Sequence, residues 1–406
     1  MRILSITSTY PRFLGDGVGS FIHSISKTLS DHGHVLYVIA PDNHKAQYQW
    51  QDKVQVERIK YIKPRNLAKL GHGESLKSDI KLKWHSYILV SLFSIFTIIR
   101  IATNPMYRNV DVIYAHWILP GGLIGSILSY LLHIPLVVHL HGSDVFVSEH
   151  YKIFRPFVKY ILNSASKIIA CSNDLANRIK HIGEGDLEVI PYGVDIDIFF
   201  PNEKNNYLES KRDRPKLITA VGRLVNKKGF KYLIIAAEKV IKLYPQCRFQ
   251  IIGDGDQRSE LVDLSNSLEL SKNIVFLGNI PWNQIPDILR KTDIFVLPSI
   301  IDEKGNVDGL PVVLLEAMSS GCAVIASKVA GVPDVITDGV NGILVEPKND
   351  NQLSQAIISL ISNDELRIKL GGSARDKVKS DYSWDIIVKR IERVLESTIS
   401  QISYPK

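Results

Sequence analysis

Three cysteines and three methionines are all that 406 residues contain, and Cys171, Cys247 and Cys322 are odd in number and widely separated. Neither a disulfide framework nor a cysteine metal cluster follows, and a reducing compartment fits that usage. The N-terminal MRILSITSTYPRF has a brief apolar run that gives way to polar residues too early for a secretory signal, so a cytoplasmic protein is expected. From Tyr87 to Ile99 the chain is uncharged for thirteen residues, short of the roughly 20 a spanning helix needs. No solenoid repeat or low-complexity tract occurs. No G-x-G-x-x-G follows a strand with an acid some 20 residues on, which argues against a nicotinamide dehydrogenase.

What is present is an ordinary globular balance, 45% hydrophobic and 22% charged, in a chain long enough for two cores. Two domains imply a cleft. The net charge of +7 is concentrated locally: nine bases lie between Lys53 and Lys83 against Glu57, Glu74 and Asp79. Phosphorylated ligands and an anionic membrane surface fit this charge, and nucleic acid is not expected. The apolar segment that follows admits two readings, a helix buried against the first sheet or a face lying on lipid.

Both halves alternate β-branched runs with helical stretches, the pattern of parallel sheets covered on both faces. Strands are expected at 3–7, 35–40, 111–115, 135–141, 167–172 and 187–191, then at 217–222, 248–253, 274–278, 294–299 and 323–327. The charged connector at 199–215, bounded by Pro201 and Pro215, reads as the linker. Domains are therefore expected at 1–200, joined by a C-terminal helix from about 381 to 406, and at 201–380.

Ligands of open parallel sheets sit beyond the carboxyl ends of the strands. There the sequence places GDGVG, His116, HGSD, GRLVNKKG, GDGDQR and DGLPVVLLEAM. In the last, Asp308 and Glu316 stand eight apart, with Pro311 as a first-turn residue and Gly321 as a helix stop. Glu316 lies in an apolar helix and needs a partner; a vicinal diol or a salt bridge would serve. Asp308 reads either as a helix cap or as a ligand to hydroxyls. In GRLVNKKG, backbone amides, the helix dipole, Arg223 and Lys228 can converge on an anion such as a departing diphosphate. His141 is either a core histidine or an active-site group, and His116 ends a neighbouring strand.

Together with TYPRFLGDGVGSF, VIPYGVD and GVPDVITDGVNGILVEP, these motifs give a chain that resembles family 4, or group 1, of the glycosyltransferases along almost its whole length. The resemblance implies an α/β GT-B fold, two Rossmann-like doubly wound domains facing a cleft, with the C-terminal helix returning to the first. It implies retention of anomeric configuration, a nucleotide diphosphate sugar donor (UDP or GDP) held by the second domain, and a saccharide acceptor approached from the first. No cofactor or metal is required. By the same resemblance Arg223 and Lys228 clamp the diphosphate, Glu316 binds ribose, and Asp308, where Glu is usual, binds the transferred sugar; Gly253, Gly309, Leu310 and His116 are further substrate-binding candidates. Gly15, Gly17 and Gly19 form the first-domain glycine loop, its usual Gly-Gly broken by Asp16. His141 lies near the sugar with Asp144 beside it. Tyr192 stands where Asn is commoner and receives no role.

With no nucleophile evident in the first half, same-face departure and attack is the expected route. An epimerase on the same fold, or a silent nucleotide-sugar-binding subunit, are the rival readings. The basic segment points to an acceptor at the inner membrane face, such as a lipid-linked saccharide of an envelope polysaccharide or lipopolysaccharide, with peripheral membrane contact.

Overall fold

A computed structural model describes residues 1–13, 15–46, 54–71, 84–150, 154–183, 185–202, 215–303 and 305–402. Lys53, Glu74, Lys77, Asp79, Lys81 and Lys83 of the basic run, and most of the 199–215 connector, lie outside them. The chain divides into two compact units: residues 1–192 with 384–406, and residues 193–383.

Unit 1 contains β1 (Arg2–Ile6), α1 (Ser20–Asp31), β2 (Val35–Pro41), β3 (Gln55–Ile59), α2 (Trp84–Thr103), β4 (Val112–His116), α3 (Leu123–Leu132) and β5 (Leu136–Leu140). It continues with α4 (Ser143–His150), α5 (Arg155–Ser164), β6 (Lys167–Ala170), α6 (Asn173–Ile179) and β7 (Leu187–Val189). All seven strands run parallel in the order β3-β2-β1-β4-β5-β6-β7. Central strands carry water-free side chains on both faces, as Ile3, Leu4 and Ile6 do, which is why they read as continuous apolar runs.

Unit 2 contains β8 (Leu217–Val221), α7 (Phe230–Leu243), β9 (Arg248–Ile252), α8 (Arg258–Ser267), β10 (Ile274–Gly278), α9 (Ile285–Lys291), β11 (Ile294–Leu297) and α10 (Val312–Ser319). There follow β12 (Ala323–Ser327), α11 (Val332–Val335), β13 (Ile343–Val345), α12 (Asp350–Ser362) and α13 (Asp364–Asp381). Its six strands take the order β10-β9-β8-β11-β12-β13. A final helix, α14 (Trp384–Ile402), returns to unit 1, where Glu392 meets His32 and His34 at 2.8 and 2.9 Å. Unit 2 begins ahead of the connector because the Val194 amide donates to the Tyr382 carbonyl at 2.9 Å and the Phe199 carbonyl takes the Ser319 hydroxyl at 2.6 Å.

Two strands escape the sequence pattern. β3 spells QVERI, charged and half-exposed on the sheet edge, and β13 is three residues long. The apolar segment forms a 20-residue helix, longer than its uncharged stretch suggests. Leu89, Phe93, Thr97 and Ile101 turn inward on it, while Ile88, Ile95, Phe96 and Ile99 stay exposed. One side of the helix is therefore buried against the unit and the other is exposed.

In unit 2 three loops at the carboxyl ends of the strands close on one another through glycine. A Cβ on Gly229 (φ +66°) would lie 1.9 Å from the Pro298 carbonyl oxygen, and one on Gly253 (φ +131°) 1.9 Å from that of Gly222. Gly372, exposed on α13, has open space around its Cα. Gly229→Ala is expected to lower the unfolding free energy by more than about 2 kcal/mol, whereas Gly372→Ala should raise it by up to about 1 kcal/mol through helix propensity. Urea titration checks both.

Candidate functional site

In unit 1 the carboxyl ends of β4 and β5 gather three histidines. Register pairs His116 with His139 on the adjacent strands, and His141 follows His139 by two, hence on the same side of the strand. His116 Nδ1 lies 3.1 Å from His141 Nε2, Tyr114 OH 2.6 Å from His139 Nδ1, and Tyr192 OH 2.8 Å from His141 Nδ1. The Tyr192 ring is nearly parallel to that of His141, and Phe21 packs on both at 5.0 and 4.9 Å. Burial pushes His116 down to about 3 and holds His139 and His141 well below the usual imidazole range. All three are neutral near pH 7 and poor as bases, and both ring nitrogens of His141 are already engaged. One nitrogen from each lies within 4.8 Å of the others, and this is the cluster with metal-ligand spacing among the described residues.

Asp144, in the first turn of α4, spends its carboxylate on the amides of Ile118, His141 and Gly142 at 3.1, 3.3 and 2.9 Å. Burial raises its pKa and those bonds oppose the rise. It holds the loop that carries His141. At the glycine loop, Gly19 (φ +78°) caps α1, and a Cβ there would lie 3.2 Å from Tyr10 Cα in a backbone conformation that favours glycine. Gly15 also takes a positive φ, and Gly17 is exposed. Asp16, the residue that interrupts the glycines, ties Arg12 Nε at 2.7 Å and the Val18 amide at 3.3 Å.

In unit 2 the segment after β8 differs from the expected anion cradle. Its amides are largely engaged: Gly222 to Ile252 O, Leu224 to Asp254 O, Lys228 to Val225 O and Gly229 to Asn226 O, at 2.9 to 3.0 Å. Side chains supply the charge instead. Lys228, its stem over Gly222, places Nζ 2.6 Å from Asp308 Oδ2, and Lys227 Nζ lies 3.2 Å from Oδ1. Arg223 is exposed on the same loop. The two ammonium groups hold the Asp308 carboxyl well below the usual carboxylate range against the opposing effect of burial. Gly309 accepts the Gly331 amide at 2.9 Å and Leu310 is buried, so these two anchor the loop that presents Asp308. Pro311 stands one place ahead of α10 as its cap, and Gly321, in the left-handed region, follows its end.

Glu316 is buried on α10, and its carboxylate accepts the indole N–H of Trp282 at 2.8 Å. A neutral donor relieves burial less than a cation would, so its pKa is pushed up to about 7. Sequence reasoning missed Trp282, Lys227, Tyr192 and His139. Of these His139 carried a signal, two residues before His141 on one strand, and so did Lys227, beside Lys228 in GRLVNKKG; Trp282 and Tyr192 become partners through the fold. Because folding raises the Glu316 pKa from 4.5 to about 7, the folded state holds the proton more tightly, and stability falls as pH climbs through that window. Glu316→Gln keeps an acceptor for Trp282 and removes the charge. Its unfolding midpoint should exceed that of the wild type at about pH 8, with the advantage shrinking towards about pH 5; parallel curves would refute the assignment.

The model of the group 1 glycosyl transferases matches residues 202–377, and that of glycosyltransferase family 4 matches residues 15–198. The putative teichuronic acid biosynthesis glycosyltransferase TuaC of Bacillus subtilis is 30% identical over 372 residues, 88% of each chain. The UDP-Gal:alpha-D-GlcNAc-diphosphoundecaprenol alpha-1,3-galactosyltransferase of Escherichia coli is 28% identical over 77% of this chain and 79% of its own. Among solved structures, sucrose-phosphate synthase from Thermosynechococcus elongatus superposes with a TM-score of 0.80 at 18% identity, covering 98% of this chain and 99% of its own. The fold is thus the GT-B fold that the motifs implied, and the chain belongs to family 4, the group 1 family, of the glycosyltransferases.

Proposed function

We propose that this nucleotide-sugar-dependent transferase moves a sugar from a UDP- or GDP-linked donor to a saccharide acceptor, lipid-linked and bound for a cell-envelope polysaccharide, with retention at the anomeric carbon. The relatives act in that field: the name of TuaC places it in teichuronic acid synthesis, and that of the galactosyltransferase names a diphosphoundecaprenol acceptor. The observation that carries the reading is the lysine pair on Asp308. Two lysines on one carboxylate gather cations at the carboxyl end of β8, and Arg223 stands on the same loop.

A diphosphate meets those cations favourably, and more so as it departs. When the anomeric carbon–oxygen bond breaks, the electron pair leaves with the diphosphate, and Lys228 and Arg223 stabilise the charge that develops. The acceptor oxygen then bonds to the same face of the anomeric carbon, and its proton passes to the departing phosphate oxygen. No protein base is needed, in keeping with the neutral, buried histidines of unit 1. Asp308 orients the lysines and is available to sugar hydroxyls. Glu316 accepts the ribose hydroxyls beside the Trp282 indole. Three side-chain cations provide the neutralisation that a metal gives elsewhere, so the proposal requires none. The enzyme would work in the cytoplasm, at the inner face of the membrane.

Calorimetry with UDP, GDP and their sugars tests the donor half: one diphosphate should bind, and Glu316→Ala and Lys228→Ala should each weaken it by at least about tenfold. Turnover of Lys228→Ala should fall by at least about 100-fold with an unchanged circular dichroism spectrum, and near-normal turnover would overturn the clamp. The anomeric coupling constant of the product reads retention directly.

A further inference from the structure

The helices of unit 1 do not all cover their sheet alike. From β3 the chain moves to β4, then β5, then β6, always towards the same edge. Right-handed crossovers made in one direction lay their helices on one face of the sheet. α2, α3 and α5 therefore form a single layer, α2 packed on α3 and α3 on α5.

The outer surface of that layer is apolar. On α2, Ile88, Ile95 and Ile99 are 53 to 54% exposed and form a stripe, with Tyr87 and Phe96 beside it. At the end of α3, Tyr130 is 76% exposed and Leu131 follows it. On α5, Phe157 and Tyr160 point outward as well. A stretch of α2, His85–Thr103, is long and apolar enough to cross a membrane, yet only 28% of it is buried. It cannot cross here: its ends join β3 and β4 of one sheet, and its Leu89–Phe93–Thr97–Ile101 side is buried in the unit.

Bases outnumber acids on this surface. Residues 84–110, 117–143 and 154–173 contain no Asp or Glu. Arg108, Arg155 and Lys159 are exposed among them, and Arg100 pairs with Glu57 at 2.6 Å. A second copy meeting this face across a two-fold axis would set bases against bases. Anionic headgroups meet them favourably, and exposed tyrosines beside aliphatic residues suit the boundary between headgroup and acyl chain.

We propose that the outer surface of α2, α3 and α5 is a docking face for an anionic lipid bilayer, with α2 lying in the plane of the interface. This inference deepens the proposed function by assigning the surface that meets the membrane, and it does not depend on which sugar moves. The test is flotation of the full chain with vesicles of phosphatidylcholine, alone or with about 30% phosphatidylglycerol. The wild type should float with the anionic vesicles and far less with the neutral ones. Ile95→Glu/Ile99→Glu should lose at least about tenfold in binding, and Arg155→Ala/Lys159→Ala should lose a comparable factor and most of the preference for phosphatidylglycerol.

Nucleotide diphosphate binding, measured in parallel on each variant, reports folding at unit 2, and a circular dichroism melt reports the rest. Should no nucleotide bind the wild type while flotation behaves as stated, the transferase reading fails and the docking face stands. The docking face is overturned if the wild type does not float, if folded variants of both kinds float like the wild type, or if light scattering shows a dimer that Ile95→Glu/Ile99→Glu splits while vesicles capture nothing.

Discussion

A carboxylate taken out of water must be given a partner or give up its charge, and much of what is particular to this protein is the way each buried acid meets that demand. Asp16 takes a guanidinium from Arg12 and fixes the turn of the glycine loop. Asp144 takes three amides and fixes the loop after β5. Asp308 takes two lysines and stays ionised. Glu316 takes one indole N–H and is left the least satisfied of the four, with a pKa pushed up to about 7. The first two settle structure. The last two leave charge or acceptor capacity unspent, and that remainder is what a diphosphate and a pair of ribose hydroxyls would use.

The histidines of unit 1 obey the same constraint with the opposite sign. An imidazole without water or a carboxylate at hand avoids the proton, so burial depresses all three. Their hydrogen bonds run to one another and to Tyr114 and Tyr192. Such a group abstracts a proton badly. The proposed chemistry, in which the leaving diphosphate takes the acceptor proton, does not ask that of it.

Outside the sites, the same bookkeeping separates two kinds of apolar surface. Ile3, Leu4 and Ile6 of β1 are sealed from water on both faces of the sheet. Ile88, Ile95 and Ile99 are equally apolar and remain in water, on a layer whose segments carry bases and no acids. A contiguous exposed patch of that kind marks an interaction surface rather than an oversight of packing.

Alternation of β-branched runs with helices determined the doubly wound class, and eleven strands lay where apolar runs predicted them, most clearly in the centre of each sheet, where a strand buried on both faces must be apolar throughout. β3 was illegible for the converse reason, as an edge strand with charged residues, and β13 is an apolar triplet between Gly342 and Glu346 that ends too soon to stand out as a run. The sequence also named Lys228, Asp308, Glu316 and His141, since residues that follow strands of a parallel sheet gather at its carboxyl edge. Only the tertiary structure decided their partners. Trp282 lies 34 residues from Glu316 and Tyr192 lies 51 from His141, and no local pattern links residues so far apart. The lysines' hold on Asp308 likewise depends on loops that can touch only where Gly229 and Gly253 bring backbone against backbone. Periodicity records which face of an element is dry; which group meets which is fixed by the register and closure of the sheet.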